Sequence, residues 1–282
     1  MDTGNTGFMM ICTALVFIMT PGLAFFYGGL VRRKNVCNTM MACVAIMGLS
    51  VVMWTLFGYS LSFGGNHGGI IGDFRWAALN GVGWEAGSYS DTIPHLVFAA
   101  FQMMFAMITP AHMVWGEGGF LASIGSVDFA GGNVVHISSG VSALVLAIYL
   151  GRRKGYEQTS YRIHNIPFVA LGASLLWFGW YGFNAGSALA ADGLAAHAFM
   201  TTSISAAAAL LSWMLIDTVK NGKPTLVGAC TGLVIGLVAI TPGAGFVPVW
   251  SSFIIGALVS PICYFTMPVS YTHLTLPTNS RV

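Results

Sequence analysis

The stretch HNIPFVALGASLLWFGWYGFNAGS, His164 to Ser187, carries no Asp, Glu, Lys or Arg. About 20 mostly apolar residues take a helix across the hydrocarbon of a bilayer, so this run predicts a membrane span. Runs of the same kind lie on both sides of it: Phe8 to Val31, Thr39 to Phe63, His95 to Trp115 and Asn133 to Leu150 before, Leu194 to Ile216, Thr225 to Thr241 and Val247 to Met267 after. The fold class read from this pattern is an all-α polytopic membrane protein with eight candidate spans. Composition agrees: 56% hydrophobic and 7% charged residues and a mean hydropathy of +0.76 exclude a soluble fold, whose charged share averages roughly 25%. A formal charge of only +2 offers no surface for nucleic acid. The cysteines at 12, 37, 43, 230 and 263 lack metal or redox spacing, so neither a metal nor a disulfide framework is expected.

The basic residues cluster at three places: Arg32 to Lys34; Arg152, Arg153, Lys154 and Arg162; Lys220 and Lys223. The positive-inside rule puts all three in the cytoplasm and the amino end outside. The first run is read as a span and not a secretory signal, because its basic residues follow it. Parity fails once. Three candidate spans separate the first cluster from the second, which would put the second outside. The suspect is His95 to Trp115, with Thr109-Pro110 near its middle and a Gly116-Glu117-Gly118-Gly119 turn after it; it either dips in and returns, or a stretch of sequence is absent near Pro110. Between Gly64 and Pro94 the chain is rich in Gly, Asn and Asp and is expected to form outer loops. Small residues at Gly182 and Gly186, at Gly228, Gly232 and Gly236, and from Ser203 to Ala209 suit close helix contact.

Ionisable groups within a span are costly and therefore functional suspects. Asp128 stands just ahead of the span starting near Asn133, and His136 lies one turn inside it. Eight helical residues cover about 12 Å, too far for the two to share a metal or form an acid–base pair. Each also has a plain structural reading, Asp128 as a helix cap and His136 as a packing residue. The segment Trp177 to Ser187 joins aromatic rings to polar groups. It reads either as an interfacial belt or as a cage in which ring faces replace water around a small cation, with Ser187 as acceptor and Phe101, Phe105 and Trp115 as further rings. No Lys or Arg falls inside a candidate span to repel a cation.

Several motifs in order carry a resemblance: Pro21-Gly22-Leu23-Ala24-Phe25-Phe26-Tyr27-Gly28-Gly29-Leu30-Val31-Arg32, His112-Met113-Val114-Trp115-Gly116, Asp128-Phe129-Ala130-Gly131-Gly132 with His136, Gly182-Phe183-Asn184-Ala185-Gly186-Ser187, and Gly228-Ala229-Cys230 with Thr241-Pro242. From about Phe8 to Pro261 the chain resembles ammonium transporters of the Amt/Mep/Rh superfamily, on the Amt side. The resemblance implies a helical bundle of eleven spans in two inverted repeats plus a last helix. It also implies a homotrimer in the cell membrane that uses no cofactor, takes ammonium or ammonia as substrate, and has a PII-type regulatory protein as a possible partner. By matching motif, Phe105, Trp115 and Ser187 would form an outer ammonium site, Phe105 and Phe183 a stacked gate, Asp128 the acid organising that vestibule, and His136 a pore histidine.

Two departures accompany it. Thr109-Pro110 is followed at once by Ala111-His112, where the family has an intervening stretch long enough for one span. The chain also stops inside the ninth family span. The expectation is one transmembrane domain over 1–267, shortened near 110, followed by a non-family tail over 268–282. Competing readings are a non-transporting ammonium sensor or inactive transporter fragment, and a polytopic membrane enzyme using Asp128 and His136 as acid and base.

Overall fold

The structure, a computed structural model, describes residues 1–108, 119–150 and 163–273. Among the described residues seven helices are long and apolar enough to span a bilayer. We label them with one shorter helix in chain order: α1 Thr3–Leu30, α2 Arg33–Phe63, α3 His95–Ile108, α4 Gly132–Leu150, α5 Ile166–Gly186, α6 Gly193–Asn221, α7 Leu226–Gly243 and α8 Val249–His273. The sequence explains their starts. Asp2, Asn165, Asp192 and Thr225 each accept a hydrogen bond from a backbone N–H three residues on, which satisfies a donor that the first turn leaves over.

Glycines set the packing. Helices α1 and α5 run antiparallel and nearly in backbone contact: a Cβ added at Gly182 would lie 2.7 Å from the Cys12 carbonyl, and one at Gly29 2.6 Å from the Asn165 carbonyl. In the same way Gly228, Gly232 and Gly236 of α7 lie against Trp213, Ala209 and Ser205 of α6, where Ser205 Oγ donates to the Gly236 carbonyl (2.9 Å). Gly256 of α8 meets the Ser205 backbone from the other side. Gly182, Gly228, Gly232, Gly236 and the Ser205–Ala209 stretch are positions that the sequence marks for close approach; Gly29 and Gly256 are added by the structure.

One face of the bundle gathers the start of α1, the end of α2 and the start of α3. Asp2 donates its N–H to the Thr92 carbonyl (2.7 Å), and Asn5 Oδ1 accepts from Ala191 N (2.9 Å), which adds the end of α5. The segment expected as loops forms a short antiparallel hairpin here, β1 Ala86–Gly87 with β2 Ser90–Pro94. The same segment holds an ion pair between Arg75 and Asp73 (3.0 Å). Hydrogen bonds from Arg75 hold the Asp73 carboxyl well below its ordinary range.

The parity mismatch falls at α3, whose continuation past Ile108 lies outside the described residues. The described part of this helix covers 14 residues, His95–Ile108, of the candidate His95 to Trp115. Residues 109–118, with Thr109, Pro110 and Trp115, lie outside the described residues. By Phe120 the chain is back at the hairpin face, where its N–H donates to the Gly69 carbonyl (2.9 Å). Phe129 N–H then donates to the Pro242 carbonyl (2.8 Å), so α4 starts from the same face as α3. From this face α1, α4 and α6 all run to the opposite one and end there. Those are the three ends that the basic clusters follow.

Candidate functional site

The sequence-selected residues converge where α3, α4, α5 and α7 meet. On α5, Trp180, Phe183 and Ser187 recur at a spacing of three and four and therefore share one helix face. Phe183 is fully buried and Phe105 of α3 nearly so; their ring centroids are 4.5 Å apart at 54°. The pair is tilted, not face to face. Phe101 meets Phe105 edge-on at 4.9 Å, which extends the row of rings along α3. Ser187 is half-buried, and its hydroxyl donates to the Phe183 carbonyl (2.8 Å). With its single proton so committed, its lone pairs are free to accept.

Below the phenylalanines lies the imidazole of His136. It stacks on Phe183 (5.9 Å, 14°) and on Trp180 (5.4 Å, 28°). Trp180 and Phe183 are also near-parallel, at 5.3 Å and 23°. His136 Nε2 is buried and has no hydrogen-bond partner. A buried polar nitrogen left without a partner costs free energy, so it marks a place where something polar is to be met.

Asp128 is placed as a cap. Its Oδ1 accepts from the N–H groups of Gly131 (3.1 Å) and Gly132 (2.6 Å), and its Oδ2 from those of Asn133 (2.9 Å) and Val134 (3.1 Å). Four donors is more than an ordinary cap receives. Gly131 makes the turn possible with a φ of 91°, a conformation that side chains disfavour. The carboxylate does not sit among the rings; it fixes the first turn of α4, a wide π-type turn over Gly132–Ile137 that carries His136. Trp115, the remaining expected member of the outer site, lies outside the described residues. Among the described residues no His, Cys, Asp and Glu side chains gather into a metal-type cluster.

Trp180 is a site residue that the sequence placed only within the Trp177–Ser187 aromatic segment, without a role of its own, although its place three residues before Phe183 was the available signal. Thr241 is another; its hydroxyl accepts from Trp180 Nε1 (2.9 Å).

Fold and site together define an all-helical, multi-pass membrane protein with a row of buried rings ending on an unpartnered imidazole. The model of the Ammonium Transporter Family matches residues 7–111 and again 108–276. The second match thus runs past Pro268, where the sequence reading starts its non-family tail. The chain is 46% identical to an ammonium transporter of Bacillus subtilis, over 94% of this chain and 72% of that one. It is 42% identical to the ammonium transporter Amt1 of Archaeoglobus fulgidus, over 95% and 73%. Among solved structures, Mep2 of Candida albicans superposes with a TM-score of 0.86 at 32% identity, over 96% of this chain and 67% of that chain. The chain belongs to the ammonium transporter family, a family of transporters and not of enzymes.

Proposed function

We propose that this protein recruits ammonium at an outer aromatic site built from Phe105, Ser187 and Trp115, passes it between Phe105 and Phe183, and delivers it to His136. The carrying observation is the buried, partnerless Nε2 of His136 directly beneath Phe183. Ring faces attract a desolvated cation by about 2 kcal/mol each, whereas moving a bare ion into a dry apolar passage costs tens of kcal/mol. The rings therefore select the ion but cannot carry it through. A neutral imidazole nitrogen relieves this by accepting a hydrogen bond from the substrate, or its proton, before the apolar passage. Asp128 organises the site indirectly, by holding the turn that aims His136.

The same reading extends to the assembly. Three basic clusters follow helix ends at one face, which supports a cytoplasmic location for that face and an amino terminus outside the cell membrane. A homotrimer, and a PII-type regulatory protein at the cytoplasmic face, are family features proposed for this chain. The family match breaks and restarts at residues 108–111, which supports a single transmembrane domain shortened near Pro110.

The test is selectivity after replacing His136. A carboxylate there would hold a desolvated cation, so His136→Asp and His136→Glu in the full-length protein should admit potassium while still reaching the membrane. Potassium-dependent growth or current is the readout. Correctly inserted variants with unchanged ammonium selectivity would remove His136 from the pathway.

A further inference from the structure

We infer that Thr241-Pro242, at the end of α7, is the positioning element of the His136 site, holding from one dipeptide both the ring below the imidazole and the turn that presents it. The inference rests on the reading of His136 as a pathway residue.

The first arm is a one-way hydrogen-bond relay. Thr241 has a single hydroxyl proton, which it donates to the Leu237 carbonyl (2.7 Å). Toward Trp180 the oxygen can therefore only accept, and it takes the indole N–H at 2.9 Å. Thr241 is fully buried and Trp180 nearly so, so neither group has water as a substitute partner. The bond fixes the rotation of the Trp180 ring, and that ring lies 28° from the plane of His136 and 23° from that of Phe183. A turned indole would leave the imidazole without its flat support.

The second arm runs through Pro242. Its carbonyl accepts the Phe129 N–H at 2.8 Å, next to Asp128. Its ring occupies the space where Gly132 would carry a Cβ, so only glycine fits there. Asp128 thus holds the first turn of α4 from within, and Pro242 holds it from outside. Thr241 sits at the junction of the two arms and touches none of the outer rings in the described contacts. Its loss should therefore lower maximal flux and spare recruitment.

The experiment measures methylammonium uptake by the full-length protein with Thr241→Val, Thr241→Ser, Trp180→Phe and the Val/Phe double variant, beside His136→Ala. Thr241→Val keeps the shape but removes the acceptor. It should cost about five- to tenfold in maximal uptake, the size usual for one orphaned hydrogen bond, with KM little changed. Thr241→Ser should restore most of it, and Thr241→Val should add nothing in the Trp180→Phe background. Should Thr241→Val not reach the membrane, Trp180→Phe decides, because it removes the N–H donor and part of the supporting ring while keeping an aromatic side chain; it must show at least the same loss. Normal uptake in Trp180→Phe, additive losses, or equal failure of the Val and Ser variants would overturn the inference. Unaltered uptake in His136→Ala would instead bring down the pathway reading beneath it, and so separates the two.

Discussion

Asp128 illustrates how one side chain serves structure and function together. A carboxylate that accepts four backbone N–H groups leaves four part-buried donors without it when truncated, so Asp128→Ala should cost more than the 0.5–2 kcal/mol of a one-bond cap, about 2–4 kcal/mol. It should abolish uptake even in the fraction that inserts, because the turn bearing His136 loosens. Asp128→Glu keeps the charge and should retain some of both. Melting in detergent and uptake per inserted protein check the pair; a stable, fully active Asp128→Ala protein would reduce the residue to an ordinary cap. Asp128 and His136 were legible in the sequence because charge is scarce in a membrane and each such group demands a reason. Trp180 was not. It stood in a run already rich in rings, and what distinguishes it is the angle of its plane and a threonine 61 residues further on, neither of which leaves a trace in spacing.

At the scale of helices, length and the absence of charge were enough to place seven of the eight elements, since the bilayer enforces both. Their starts differ from the sequence reading by a few residues, because caps such as Asp2 and Asp192 lie outside the apolar runs. The exception is α3, where a hydrophobic run continues past the described end at Ile108 and hydropathy alone cannot separate a crossing from an entry and return. The close α1–α5 pairing was legible as small-residue spacing and yields a contrast. Gly182→Val must push apart a pair of helices whose backbones nearly touch, which should cost about 1–3 kcal/mol or more and lower membrane yield. Gly140→Ala in α4 meets nothing within 4 Å and should be neutral or gain a few tenths of a kcal/mol through helix propensity. Thermal unfolding of the two variants in one detergent checks this; equal melting would mean the helices are not in close contact.

For the molecule as a whole, the proposed orientation rests on three separate helix ends, and chemical labelling tests it. Cys37 is exposed beside the first basic cluster, so an impermeant maleimide should reach it in inside-out vesicles and not in intact cells. A cysteine introduced by Ser88→Cys, between the two hairpin strands, should behave in the opposite way. The same side for both would refute the crossing by α2 or the assignment of the faces. The central claim is that this chain moves ammonium through the passage between Phe105, Phe183 and His136, and uptake measures it most directly. In a host without ammonium transport of its own, the full-length protein should restore growth on limiting ammonium. It should also take up labelled methylammonium in competition with ammonium, and Phe183→Ala should alter that uptake at equal membrane abundance. A correctly inserted protein with no uptake, or one indifferent to Phe183→Ala, would contradict the account.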